Sequence, residues 1–383
     1  SCAGQCWEPE SKMRVLYCTR GDSPHDQRFL TALGQSGHEV YALRLQACTP
    51  RTPPGITEVP WEGLPGPLKL SQVPSLGARL RTLLGNLEPD LVHAGPIQDV
   101  AFLVAQAGFH PLLTMSWGFD LMKDAYLSPL KRWQTRWTLA RSDMLTLDCQ
   151  ATAERAVSFG FPRERICVFP WGVDLTKFSP QSSIVPGKAW RQQQGWNDAI
   201  VLLCLRAWEP NYGVDVLARA FVHAAQQNPA LRLILLNEGS EAAKVRSILR
   251  AGGVEERVYF GGRIPNADLT TYFGAADLYI SPAHVDGSSV SLLEAMACGL
   301  PAIVSDIPAN LEWIREGENG WIFPDGDDQA LTEAILKAAA LDWRALSLQA
   351  RQDAVERADW SKNFQKLLKC YQDTVAYGKA RKA

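Results

Sequence analysis

The sequence predicts an α/β protein made of two doubly wound domains with parallel sheets. Three observations carry that prediction. Short apolar runs alternate with helical spacings from Met13 onward, the pattern of strands buried on both faces with helices laid across them. At 383 residues the chain is too long for one typical core. The same alternation starts afresh at residues 199–205, a continuous apolar run suited to a central strand.

Composition narrows the class. With 46% hydrophobic and 21% charged residues the chain reads as an ordinary soluble globular protein. Its net charge of −2 provides no basic field for nucleic acid. No run approaches the ~18 apolar residues of a membrane span. Nine cysteines, an odd number without C-x-x-C pairing, point to reduced thiols and a cytoplasmic setting. Residues 1–12, which include Cys2 and Cys6, lack an apolar core and read as a leader.

In the first half, residues 13–18 form a strand feeding the polar turn Thr19-Arg20-Gly21-Asp22, residues 25–33 a helix, and residues 37–40 open the next strand. The loop after a first strand lies at the carboxyl edge of the sheet, where doubly wound folds bind ligands, so Gly21 and Asp22 are candidates there. Residues 50–74, rich in Pro and Gly, read as an irregular excursion. A helix over 76–87, a strand over 90–94 with His93 at its carboxyl end, and a helix over 97–108 follow. Residues 111–119 are a strand and its exit loop. Residues 128–141 then predict a helix with Trp133 and Trp137 one turn apart among Lys131, Arg132, Arg136 and Arg141. The expected arrangement packs both rings inward with the cations in solvent. The other arrangement lays this helix on an anionic membrane surface as a peripheral contact. Strands at 144–147 and 166–169 with a helix at 152–159 complete the first sheet, and 176–197 read as a connection.

In the second half, the 199–205 strand ends at Arg206, and the 231–236 strand closes on Asn237-Glu238-Gly239-Ser240. Residues 258–260 and 277–280 are further strands. The segment Ser281 to Asp306 reads as loop, helix, turn and strand. Gly287, Ser288, Ser289, Val290 and Ser291 leave uncrowded amides at a helix start, where unpaired N–H groups and the macrodipole favour an anion. Glu294 lies about 7 Å further along the helix axis at ~1.5 Å per residue. A nucleoside diphosphate could set its phosphates on the amides and a hydroxyl pair on Glu294, with Asp286 facing what hangs off the outer phosphate. His284, two residues before Asp286, is a candidate for orienting that group. Asp325-Gly326-Asp327 spells D-x-D, but its place before a helix starting near Ala330 fits a turn and N-cap better than a metal site.

The stretch DGSSVSLLEAMACGLP resembles the E-x7-E segment of retaining glycosyltransferases of family 4, with Asp286 and Glu294 as its two acids. The resemblance extends more weakly over nearly the whole chain. It implies the GT-B architecture, two doubly wound Rossmann-like domains facing a central cleft. An acceptor domain would span 13–175, joined by a returning helix at 361–383. A linker would span 176–197 and a donor domain 198–360. Glu294 would hold the nucleotide ribose, Asp286 would lie by the donor sugar, and Arg206 matches an arginine on the donor diphosphate. The lysine that follows in the family is Tyr212 here. Gly239 matches the glycine-rich turn facing the nucleotide, and Arg263 and Ile264 stand where the base meets backbone. A histidine common in the exit loop of the 111–119 strand is replaced by Trp117. With Asp120 and His93, Trp117 would then shape the acceptor side. The implied reaction moves a hexose-like unit from a nucleoside diphosphate sugar to an acceptor hydroxyl of a glycan, lipid-linked or small molecule, with retention, no cofactor and no metal. Two rival readings are a nucleotide-sugar-binding protein without turnover and a nucleotide-sugar epimerase.

Overall fold

The computed structural model describes residues 12–382; Cys2, Cys6 and the rest of the expected leader up to residue 11 lie outside the described residues. The chain divides into two units, one running to Phe169 and resuming at Phe364, the other Pro170–Asn363.

The first unit holds strands β1 (Arg14–Thr19), β2 (Glu39–Arg44), β3 (Ile56–Glu58), β4 (Leu91–Ala94), β5 (Leu112–Met115), β6 (Met144–Leu147) and β7 (Ile166–Val168). They lie in the order β3-β2-β1-β4-β5-β6-β7 and every pairing is parallel. The order turns at β1 and β4, so the loops leaving these two strands diverge. Four of the strands, β4 to β6 among them, are buried throughout or nearly so, which is why they read as apolar runs without alternation. Two expectations need correction. The excursion at 50–74 contains β3, which adds a parallel edge strand to β2; three residues between proline and glycine carry no visible period. The helix expected over 97–108 begins as a wide turn, Ile97–Ala101, before Phe102–Ala107 continues as regular α-helix.

His93 is a core residue, not an acceptor-side one. It is fully buried on β4, its Nδ1 2.8 Å from the Tyr371 hydroxyl and its ring edge-on to Tyr17 and Phe29. Tyr371 belongs to the long helix Trp360–Lys382, so this contact ties the last helix into the first unit. Burial pushes the imidazole down to about 3. Below the ordinary histidine pKa of about 6.5 the unfolded chain takes up a proton that the folded chain refuses, so stability is lost as pH falls from there toward the folded value. Between pH 6.5 and 5 this one group should cost about 2 kcal/mol. Denaturant titrations of wild type and His93→Gln at the two pH values check it: the variant should lose less, and equal losses would contradict the account.

The second unit holds β8 (Ile200–Cys204), β9 (Leu231–Leu236), β10 (Val258–Gly262), β11 (Leu278–Ser281), β12 (Ala302–Ser305) and β13 (Gly320–Phe323), again all parallel, in the order β10-β9-β8-β11-β12-β13. Residues expected to form a connection instead fold as the helix Pro180–Gln194, capped by Ser179 and packed within this unit. Its Gly187 approaches Gly274 so closely that a Cβ would sit 2.0 Å from the Gly274 carbonyl carbon. Pro186 and Gly187 in mid-helix hide the period that would have announced it. The seven described cysteines are unbridged. Among the described residues, no helix is long and apolar enough to cross a membrane.

Candidate functional site

β8 and β11 are the neighbours at which the second sheet changes direction, and the carboxyl ends of such strands are where doubly wound folds bind ligands. Arg206 leaves β8 and is only 9% exposed. Its Nη2 lies 2.6 Å from Asp286 Oδ2, beyond β11. Its Nη1 donates to Ser289 Oγ at 2.5 Å and to Ser291 Oγ at 3.4 Å. Tyr279, fully buried on β11, donates its hydroxyl to Ser291 Oγ at 2.7 Å. A chain of hydroxyls therefore runs from the sheet to the guanidinium. Ser289 also caps the helix Val290–Ala297 by accepting from the Leu292 amide, and the first-turn amides of Val290 and Ser291 have no intrahelical acceptor.

Gly213 makes this geometry reachable. Its φ is +59°, and a Cβ there would stand 2.0 Å from the Pro282 carbonyl oxygen, so only glycine lets the β8 loop lie against the β11 loop. The His284 amide closes the same seam by donating to Asn211 O at 2.9 Å.

The charges at these carboxyl ends compensate one another. Burial raises the Asp286 carboxyl, while the Arg206 charge and the Gly287 amide pull it back down. Burial disfavours the charged guanidinium, but Asp286 beside it more than restores the proton. The 2.6 Å approach is one of charge without hydrogen-bond alignment at Oδ2, and Arg206 Nε is buried with no acceptor. An unmet buried donor costs about 1–3 kcal/mol. Glu294 is 3% exposed on the same helix, five residues past the cap.

Comparison with known proteins decides the family. A model described as Glycosyl transferases group 1 matches residues 187–373, and one described as Glycosyltransferase Family 4 matches residues 26–177. The chain belongs to glycosyltransferase family 4. Among its relatives, the GDP-mannose-dependent alpha-(1-6)-phosphatidylinositol monomannoside mannosyltransferase of Mycolicibacterium smegmatis is 25% identical, over 75% of this chain and 77% of its own length. The phosphatidyl-myo-inositol mannosyltransferase of Mycobacterium leprae is 32% identical, over 46% of this chain and 47% of its own. In fold, the chain is similar to Anabaena Alr3699/HepE in complex with UDP and glucose, with a TM-score of 0.78 at 20% identity over 93% of this chain and 98% of that one. The architecture is GT-B, with two Rossmann-like domains.

The other residues expected on the donor side are distributed unevenly. Tyr212, where the resemblance leads one to expect a lysine, stacks on Arg206 with its ring centroid 4.2 Å from the guanidinium carbon, and burial raises its phenol so that it stays neutral. It contributes a π face and no second cation. Gly239 works by close approach: a Cβ would meet Trp208 O at 2.3 Å, and the adjoining Ser240 amide donates to Glu209 at 3.0 Å, joining the β8 and β9 loops. Arg263 is exposed just past β10, and Ile264 is half-buried against the core. The Ser288 hydroxyl accepts from Trp313 Nε1 at 3.2 Å. His284 Nδ1 lies 2.6 Å from Asp325, and Asp327 accepts from the Ala330 amide at 2.9 Å as cap of the helix Asp328–Ala339, so the D-x-D is a turn and a cap.

On the first unit the expected acceptor residues separate. Gly21 and Trp117 are half-buried, Trp117 tilted against His25 at 5.5 Å between ring centroids. Asp22 is taken up by Arg44 at 3.3 Å and Arg51 at 2.9 Å. Burial alone would raise its carboxyl, but the bonds from Arg51 and Gln27 and the Arg44 charge hold it below its usual value. Asp120 is fully buried and accepts from the amides of Ile97, Trp117 and Leu121 at 3.1, 3.1 and 2.9 Å. Burial pushes its carboxyl up to about 6 despite those bonds. Asp22 and Asp120 therefore hold the unit together through their carboxylates, and His93 does so through Nδ1 alone, its buried Nε2 having no partner. Tyr279 and Trp313 escaped the sequence reading. The available signal was a tyrosine inside an apolar strand and a tryptophan, both fully or nearly fully buried, since such rings need a partner for O–H or N–H.

Proposed function

We propose that the protein transfers a hexose-like unit from a nucleoside diphosphate sugar to an acceptor hydroxyl, with retention of configuration. The observation that carries this reading is Arg206, a buried guanidinium with an unmet Nε beside a helix N-terminus at the switch point of the second sheet. Asp286 occupies the counter-ion place at Arg206. An entering diphosphate takes that place, and Asp286 is released toward the sugar.

The acceptor oxygen then bonds to the anomeric carbon from the face the leaving group departs, and the carbon–oxygen bond to the diphosphate breaks. The departing phosphate oxygen takes the acceptor's proton, so no imidazole is required where Trp117 stands. Charge growing on the diphosphate is met by Arg206 and the amides of Val290 and Ser291, protein groups that do the work elsewhere given to a metal ion. Asp286 supports positive charge at the anomeric carbon, and Glu294 holds the ribose hydroxyls. The phosphatidylinositol monomannoside named for one relative and the phosphatidyl-myo-inositol named for another support a lipid-linked acceptor, and the unbridged cysteines suit a reducing cytoplasm.

A second reading, binding without turnover, is favoured by Tyr212 standing where a cation is usual. Thermal unfolding with UDP-, GDP- and ADP-sugars, followed by product analysis, separates the two. One base should stabilise wild type by about 2.7 kcal/mol at a hundred times Kd, and Glu294→Ala should weaken that binding at least roughly tenfold, the loss of ~1.4 kcal/mol. Stabilisation without any sugar released or transferred selects the second reading; no stabilisation by any of the three sinks both.

A further inference from the structure

The helix Pro129–Arg141 is inside out. Its buried residues are Gln134, Thr135, Thr138 and Leu139, three of them polar. They are held by directed bonds: Gln134 to Gln98 O at 3.2 Å, Gln98 to Thr135 Oγ1 at 2.9 Å, and Thr138 to Ile97 O at 3.2 Å. The apolar side chains are on the other side. Tyr126 and Leu127 in the preceding turn, with Leu130 and Trp133 on the helix, are exposed by 46, 62, 46 and 45%. The expectation that both tryptophans pack inward is thus overturned for Trp133, which leans edge-on against Phe102 at 5.8 Å with nearly half its surface in water. Trp137 is half-buried, with the Arg141 guanidinium carbon 3.2 Å from its ring centroid.

Such a helix gains nothing from burying its apolar stripe in its own core, because the stripe is not there. Elsewhere among the described residues the large exposed apolar side chains occur singly or in pairs; here four follow one another within eight positions. The charge around them is one-sided. From Lys123 to Arg141 the chain carries Lys123, Lys131, Arg132, Arg136 and Arg141 against a single acid, Asp124, in a protein whose net charge is −2. Arg155 adds to the same rim by donating to the Tyr126 hydroxyl at 3.0 Å. Aromatic and leucine tips ringed by cations fit the boundary between headgroups and acyl chains, where tyrosine and tryptophan rings favour the interface and basic side chains meet lipid phosphates. A protein partner of ordinary interface composition would not call for so uniform a basic rim.

We propose that this face docks the protein on an anionic membrane, with Leu127, Leu130 and Trp133 at the headgroup boundary and Lys131, Arg132 and Arg136 on lipid phosphates. The proposal is independent of the donor site. Sedimentation with phosphatidylcholine vesicles, with and without phosphatidylglycerol, tests it. Wild type should pellet only with the anionic vesicles and be released by salt. K131Q/R132Q/R136Q should lower the partition coefficient on the order of a hundredfold, and Leu127→Asn with Leu130→Asn should abolish binding. Circular dichroism and nucleotide-dependent thermal stabilisation should be unchanged in both variants, since Leu127, Leu130, Arg132 and Arg136 are exposed and Lys131 is only half-buried. Equal sedimentation with neutral and anionic vesicles overturns the proposal. So does undiminished binding by either variant, or a dimer in solution that the leucine substitutions dissolve, which would make a second copy the occupant.

Discussion

Arg206→Ala should lower kcat/KM by at least roughly tenfold, equivalent to ~1.4 kcal/mol of lost transition-state stabilisation. The guanidinium is the buried cation at the candidate diphosphate position, and each charge-assisted bond to an ionised partner contributes about 1.5–3 kcal/mol. Stability should fall as well. Removing the arginine leaves Asp286 without the counter-charge 2.6 Å away, and breaking a buried pair from one side costs about 3–5 kcal/mol. Part of that is recovered by protonation, because burial already raises this carboxyl. The two effects separate with Arg206→Lys. A lysine keeps a positive charge beside Asp286 but not the fork that reaches Ser289 and Ser291, so it should restore more of the unfolding free energy than of the activity. Unchanged kinetics in Arg206→Ala would remove the residue from the site, whatever happened to stability.

Asp286→Asn should move binding and turnover in opposite directions. This carboxylate holds the place at Arg206 that a diphosphate oxygen would take, so an entering nucleotide must displace it. The amide keeps the volume and removes the competing charge, and nucleoside diphosphate should bind about tenfold more tightly, a gain of ~1.4 kcal/mol. The same change removes the charge that would face the anomeric carbon, and kcat should fall at least tenfold. Calorimetric titration of the nucleotide and steady-state kinetics of transfer supply the two numbers. If affinity and rate fall together, Asp286 is a buried counter-ion and no more.

The two parts of the site differed in how far they could be read in advance. Asp286, the serines and Glu294 lie within nine consecutive positions, and capping and the rise of a helix are local properties, so the helix start capped by Ser289 was legible. The partners of Tyr279 and Trp313, which hold Ser291 and Ser288, were not legible because they are distant in the chain. The helix Pro180–Gln194 was hidden by Pro186 and Gly187, whose value lies in a close approach to Gly274 that no local pattern announces. His93 and Asp120 looked like candidates for chemistry because titratable residues near strand ends often are. Full burial, with each held by partners inside its own unit, makes them structural.

By itself the sequence determined the alternation of strands and helices, the restart of that alternation at residue 199, and the composition of the helix tip that begins at Val290. Hydrophobic period and cap chemistry act over a few residues, and that is enough for each. Tertiary structure alone decided that Arg206 meets Asp286, because the pairing depends on β8 and β11 being neighbours where the sheet turns. It alone decided that Trp133 faces outward. A helical period states which side chains share a face, while the hydrogen-bonding groups waiting on the neighbouring elements settle which face is covered.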